Sequence, residues 1–267
     1  MSIKNRRLIK IAEPKPDGRF KGPLGRIDYI CASIDAWMVI GNGLVARGFK
    51  SLEADASCLV FASGVSNSST TDPAEFDREK RLLERVMQEH REKTLLYFST
   101  CSVYDPYSSH SSYVRHKLSM ESYIAAHHPA YHLFRISNLA GFSANPHTFL
   151  NFFALRIRTG APFQVWNRAE RNLIDLDDAV KLSLHIFHQR LFCNAVVNVA
   201  NPANEPVPRI VSVLESVLGR KGNYQLVDRG SSPIIDTGPI RPLTEELQIS
   251  FGQQYLERVV SKYFMHG

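Results

Sequence analysis

The stretch "WMVIGNGLVARGF", Trp37 to Phe49, carries an apolar run into Gly41, Asn42 and Gly43 and out again through Leu44, Val45 and Ala46. An apolar run broken by paired glycines and resumed by helix formers reads as a strand, a tight turn and the first turn of a helix. Gly41, Gly43 and Ala46 satisfy G-x-G-x-x-A. In that pattern the first glycine allows the turn, the second lets backbone approach a pyrophosphate, and the small third residue lets the helix pack on the strand. Taken alone the pattern equally marks a strand-to-helix turn that binds nothing, so the neighbouring segments decide.

Working outward, "CLVFASGVSNSS" gives a second buried strand at Cys58 to Ala62, ending in small residues. A helix follows, with Asp72 as N-cap, Pro73 at the first helical position, Glu75 completing a capping box, and Phe76, Leu83, Val86 and Met87 at helical spacing. "TLLYFST" is the next strand, and the Ser-rich "YSSHSS" leads into a helix holding "SSYVRHKLSMESY", Ser111 to Tyr123. His127 and His128 stand where that helix should end. "YHLFRISNLAG" is again strand and loop. Strands alternating with helices from Trp37 to Gly141 predict an α/β fold, a doubly wound parallel sheet with helices on both faces. Beyond Asn145 a helix (Phe149 to Arg158), the strand "FQVW", the segment "ERNLIDLDDAVKLSLHIFHQR", the strand "AVVNVAN" and two further helices predict a smaller lobe, its core lined by Leu182, Ile186 and Phe187 or their neighbours.

The 267 residues, 44% of them hydrophobic, suffice for a sizeable core. No apolar run reaches the ~18 residues of a membrane span, and the charged N-terminus does not read as a signal peptide, so a cytoplasmic protein is expected. Four cysteines without C-x-x-C spacing (Cys31, Cys58, Cys101, Cys193) argue against a zinc site or a disulfide framework and suit a reducing compartment. The net charge of +6 is concentrated at one end: residues 1 to 26 hold eight of the 32 basic and two of the 26 acidic residues, leaving 24 against 24. The body is neutral, which argues against a nucleic-acid partner, and the basic, proline-punctuated arm reads as a solvated extension.

Tyr113 and Lys117 lie four apart, on one face of the predicted helix, with Glu121 four further on. A half-buried aromatic beside a snorkelling lysine would look the same. The order of the segments resolves this. The glycine turn, the strand ending "FASG", the strand end Ser99-Thr100-Cys101-Ser102-Val103-Tyr104 matching S-[ST]-x-x-V-Y, and Tyr113-x-x-x-Lys117 together resemble the extended short-chain dehydrogenase/reductase family, in its sugar-nucleotide epimerase/dehydratase branch. "RISNLAG" resembles that family's Arg-x-x-Asn-x-x-Gly strand, and "ERNLIDLDDAV" its R-D-[FY]-[IV]-x-[VI]-x-D-[VL]-A segment.

The resemblance implies a Rossmann-like NAD(P)-binding region at 36–145, a mainly C-terminal substrate lobe at 146–267, and an appended extension at 1–35. It implies Thr100, Tyr113 and Lys117 as catalytic residues. It also implies Gly41, Asn42, Gly43, Leu44, Ala46, Ala62, Ser63 and Gly64, with Tyr113 and Lys117, around NAD or NADP. Thr100, Asn138 and Arg171 would contact a nucleotide-sugar substrate, with no metal, in a homodimeric oxidoreductase or epimerase of the kind that serves polysaccharide biosynthesis. A surface salt bridge of Arg171 with Glu170 or Asp175 is the plain alternative for that residue, and Asp178 reads as structural, holding the lobe or capping its helix.

The chain departs from the pattern in three places. Only Leu44 to Ser57 separate the glycine turn from the next strand, too little for the two strands and helix usual there, so the acidic residue that reads the adenosine ribose is missing. Either the sheet is trimmed or Leu8–Ile11 and Ile27–Cys31 supply strands to it. The helical Asn-x-x-Gly-Thr of the family is replaced in "EFDREKRLLE", and the acidic pair that follows the threonine in dehydratases is replaced by Cys101 and Ser102. Keto-sugar reduction is therefore expected ahead of epimerisation and dehydration. The alternative is a non-catalytic binding or regulatory protein that keeps the fold without normal cofactor binding.

Overall fold

A computed structural model describes residues 38–50 and 57–265. The strands expected at Leu8–Ile11 and Ile27–Cys31 lie outside the described residues. In chain order the elements begin with β1 (Met38–Ile40), α1 (Leu44–Lys50), β2 (Cys58–Phe61), α2 (Pro73–Glu89), β3 (Thr94–Thr100), α3 (Ser112–His127), β4 (Tyr131–Ile136) and β5 (Asn138–Ala140). They continue with α4 (Phe149–Thr159), β6 (Phe163–Trp166), β7 (Glu170–Arg171), β8 (Leu173–Asp175), α5 (Leu176–His188), β9 (Ala195–Val199) and β10 (Glu205–Pro206). Last come α6 (Val207–Leu218), β11 (Tyr224–Val227), α7 (Arg241–Glu246) and α8 (Tyr255–Phe264).

Five parallel strands form the sheet in the order β1-β2-β3-β4-β9. This is the predicted doubly wound parallel α/β architecture. Its strands read as unbroken apolar runs because both faces are covered. Successive residues of β3 point to opposite faces: Leu95 and Tyr97 pack under α2 and α3 with Leu83, Val86, Met120 and Ile124, while Leu96 and Phe98 pack with Phe49 of α1 and Leu182 and Ile186 of α5. The Asp72 side chain caps α2 by accepting from the Ala74 N–H at 2.9 Å, and His127 and His128 close α3 as its last residue and its cap.

The predicted lining of the lobe is corrected here. Leu182, Ile186 and Phe187 face the main sheet. The lobe's own core is built by Phe153 and Ile157 of α4, Val165 of β6, Ile210 and Leu214 of α6, and Leu256, Val259 and Val260 of α8. Both readings satisfy a helical period, which reports an apolar stripe without naming what covers it. Asp178 accepts from the Tyr255 hydroxyl at 2.8 Å and so ties α8 to α5, but the cap of α5 is Asp175, whose carboxylate also takes Lys262 and Tyr263.

Among the described residues β1 is the sheet's outer strand, next to α1 of only seven residues. No helix among the described residues is long and apolar enough to cross a membrane.

Candidate active site

In a parallel sheet ligands sit beyond the carboxyl ends of the strands, and that is where the chain opens a cleft of about 460 Å³. Asn42, Gly43, Ala62, Ser63, Gly64, Thr100, Tyr113, Lys117, Asn138 and Arg171 all line it, so residues from across the chain meet here. Gly41 (φ +130°) takes a backbone conformation that L side chains rarely adopt, and a Cβ there would overlap the Ala62 carbonyl. The first glycine thus serves β1 and β2 packing. A Cβ on Gly43 would meet nothing within 4 Å, which leaves open space over the turn. Ala46 is fully buried against the sheet.

Thr100 ends β3 and is 7% exposed. Its hydroxyl accepts from the Ser102 N–H and donates to Ser102 Oγ, both at 3.0 Å. Tyr113, one residue into α3, lines the same cleft as Thr100, and the two side chains interact electrostatically. Burial pushes the Tyr113 phenol above its ordinary 10.0; Lys117 opposes that rise, Glu79 adds to it, and the Thr100 hydroxyl opposes it.

Lys117 is 3% exposed and lies in a polar knot between α2, β3 and α3. Its ammonium donates to Glu79 Oε1 at 2.9 Å, to the Tyr97 hydroxyl at 3.1 Å and to the Phe98 carbonyl at 3.3 Å. A Cβ on Gly64 would overlap the Lys117 Nζ, so only glycine leaves the ammonium its place there. Glu79 is fully buried. It also accepts from the Tyr97 hydroxyl and the Val65 N–H, each at 2.6 Å, and His116 Nε2 stands 3.1 Å from Oε2, off the line of a hydrogen bond. Burial alone would raise the Glu79 pKa, but Lys117, His116, Tyr97 and Val65 together hold the carboxyl well below its ordinary 4.5.

A depressed carboxylate adds stability above its unfolded pKa and loses it as pH falls. Wild-type protein is therefore expected to lose stability below about pH 4.5 more steeply than Glu79→Gln, as read by chemical denaturation across pH 3 to 7. Parallel curves would show that Glu79 has no part in acid lability.

The same helix is fastened again at its third turn. Glu121, 5% exposed, accepts from Ser99 Oγ at 2.5 Å and from Arg135 at 2.9 and 2.6 Å. Arg135 donates on to the Tyr104 hydroxyl, which donates to Asn198 of β9, each at 3.0 Å. The Val-Tyr of the S-[ST]-x-x-V-Y strand end thus places Tyr104 as a brace across the sheet.

On the far side of the cleft, Asn138 donates to the Asn172 carbonyl at 2.8 Å. Arg171 pairs with Asp105 at 3.7 Å and donates to its neighbour's backbone carbonyl. The alternative partners named for Arg171, the Glu170 and Asp175 carboxylates, are not the ones used. Cys101, which follows Thr100, is buried; its Sγ lies 3.2 Å from the Arg135 carbonyl, and burial pushes its thiol up to about 12. Among the described residues no cluster of three His, Cys, Asp or Glu side chains is placed to hold a metal.

A family model described as "NAD dependent epimerase/dehydratase family" matches residues 42–200. Curated protein sequences give no match. The UDP-glucose 4-epimerase of Thermus thermophilus, solved with NAD, is 14% identical with a TM-score of 0.61, over 84% of this chain and 81% of that one. The UDP-N-acetylglucosamine 4-epimerase of Bacillus cereus is 17% identical with a TM-score of 0.59, over 82% and 79% of the two chains. RMD from Pseudomonas aeruginosa, solved with NADPH, is 13% identical with a TM-score of 0.60, over 85% and 88%. At these identities the likeness is one of fold.

Proposed function

Because the chain belongs to the NAD dependent epimerase/dehydratase family, we propose that it is an NAD(P)-dependent reductase acting on the keto group of a nucleotide-activated sugar. The observation that carries this reading is the Thr100–Tyr113 pair at the carboxyl end of β3, followed by a residue unable to do elimination chemistry. The Cys101 thiol is buried, engaged with a backbone carbonyl and protonated until about pH 12, and Ser102 is already in contact with Thr100. Loss of water from a sugar needs an acid and a base at that position, and neither is there.

The residues fit a nicotinamide cofactor at its reactive end. Open space above Gly43, the small Ala62-Ser63-Gly64 strand end and Tyr113 are contiguous in one cleft. When bound, the reduced nicotinamide supplies a hydride to the carbonyl carbon. Tyr113 would give its phenolic proton to the carbonyl oxygen, and the Thr100 hydroxyl, turned from Ser102 Oγ, would donate a hydrogen bond that aligns that oxygen and steadies the charge developing on it. Asn138 and Arg171 would hold the substrate diphosphate, with the phosphates displacing Asp105 from the guanidinium.

Mass spectrometry of nucleotide released from purified protein, with NADH and NADPH fluorescence titrations, tests the reading. Failure of both to bind favours the second reading, a fold kept without its cofactor, which rests on the short stretch between the glycine turn and β2 in the sequence. With a keto-sugar nucleotide as substrate, Thr100→Val is expected to lower kcat about 10²-fold. Thr100→Ser, which keeps the hydroxyl, should recover most of it, and equal loss in both variants would remove Thr100 from the chemistry.

A further inference from the structure

An ammonium has three hydrogens to donate, and those of Lys117 already go to Glu79, Tyr97 and Phe98. The Glu79 carboxylate that draws the ammonium inward comes from α2 and is fully buried. The charged and titratable groups around Tyr113 are then Lys117 on its own helix, Glu79 on α2 and Tyr97 on β3, with the uncharged Thr100 beside it in the cleft. His116 lies beyond Glu79, and Arg78, at the lip of the same cleft, is bonded to Ser63.

We propose that Glu79 is a positioning residue that keeps Tyr113 a proton donor, by drawing the Lys117 ammonium onto β3 and cancelling its charge there. With Glu79 ionised, carboxylate and ammonium sum to zero, and ionising the phenol would leave a net negative cluster away from water. Without that carboxylate, the same ionisation would neutralise a lone ammonium. The inference deepens the reductase reading and rests on it for its meaning. A reductase starts its reaction with the proton on tyrosine, whereas an epimerase starts by taking one from a sugar hydroxyl.

The test is the tyrosinate absorbance of the full-length chain, titrated without nucleotide, each curve taken as the difference from the same protein carrying Tyr113→Phe. In wild type the Tyr113 signal should rise only above about pH 10. In Glu79→Gln it should rise at least about one pH unit earlier, which is roughly tenfold more phenolate at a given pH. Glu79→Asp, whose shorter carboxylate withdraws from the ammonium, should shift the same way by less, and it serves if the glutamine variant does not fold. Adding Lys117→Gln to Glu79→Gln should return the curve to the wild-type position.

An unshifted Tyr113 curve in a folded Glu79 variant overturns the inference, as does a downward shift that survives the loss of Lys117. Since no cofactor enters the measurement, the two readings fail separately. A shifted curve in a protein that binds neither NADH nor NADPH sinks the reductase and leaves the positioning role, and the reverse result does the opposite.

Discussion

Tyr113→Phe is expected to lower kcat about 10³-fold while leaving Tm and nucleotide affinity near wild type. General acid catalysis by a positioned side chain contributes about 10²–10⁴-fold, and within the described cleft no other phenol or thiol can take over. Cys101 is turned to the Arg135 carbonyl, and Tyr97 is bonded to Glu79 behind Lys117. The structural cost is small because Thr100 keeps its bonds to Ser102 when the Tyr113 hydroxyl is removed. Steady-state rates with a keto-sugar nucleotide, beside a thermal melt, check both halves. A Tyr113→Phe protein with full turnover would sink the assignment of the proton donor.

The largest expected loss of stability comes from Glu121→Ala. The carboxylate holds Arg135 through two bonds and Ser99 through a third, joining α3 to β3 and β4 beneath the cleft floor. Removing it strands a largely buried guanidinium, and breaking one partner out of a buried pair costs about 3–5 kcal/mol. For a chain of this size that corresponds to a fall in Tm of roughly 10 °C. The double variant with Arg135→Met should recover part of the loss, since no charge is then left alone. If it melts no higher than Glu121→Ala, the pair is not the source of the effect.

Why some of this was readable and some not has a physical answer. Runs such as "CLVF" and "TLLYFST" announce strands buried on both faces, and the order of four short motifs brought the glycine turn, Thr100, Tyr113 and Lys117 to one cleft. Apolar stripes on α5 were equally legible, but a stripe does not say whether a sheet or a lobe will cover it. The Arg171 partner was missed because Asp105 is remote in sequence, and local spacing points to neighbours. Glu79 hid among the charges of "EFDREKRLLE", which reads as a solvated face. Its signal was its phase: it falls between Phe76 and Leu83 on the stripe that continues through Val86, where a carboxylate has to find partners inside.

The sheet order has a consequence for dissecting the protein. Strand β9 is hydrogen-bonded along β4 from His132 to Ile136, yet in the chain the two are separated by α4, β6 and α5. The lobe's first elements are therefore spliced into the middle of the parallel sheet, and no single cut releases one from the other. A fragment ending near Gly141 would lose an outer strand and bare the face of β3 and β4 that α5 covers, leaving Leu96, Phe98 and Phe134 against water. Exchanging the lobe while keeping the sheet would need three junctions: one before α4, one between β8 and α5, and one after β9.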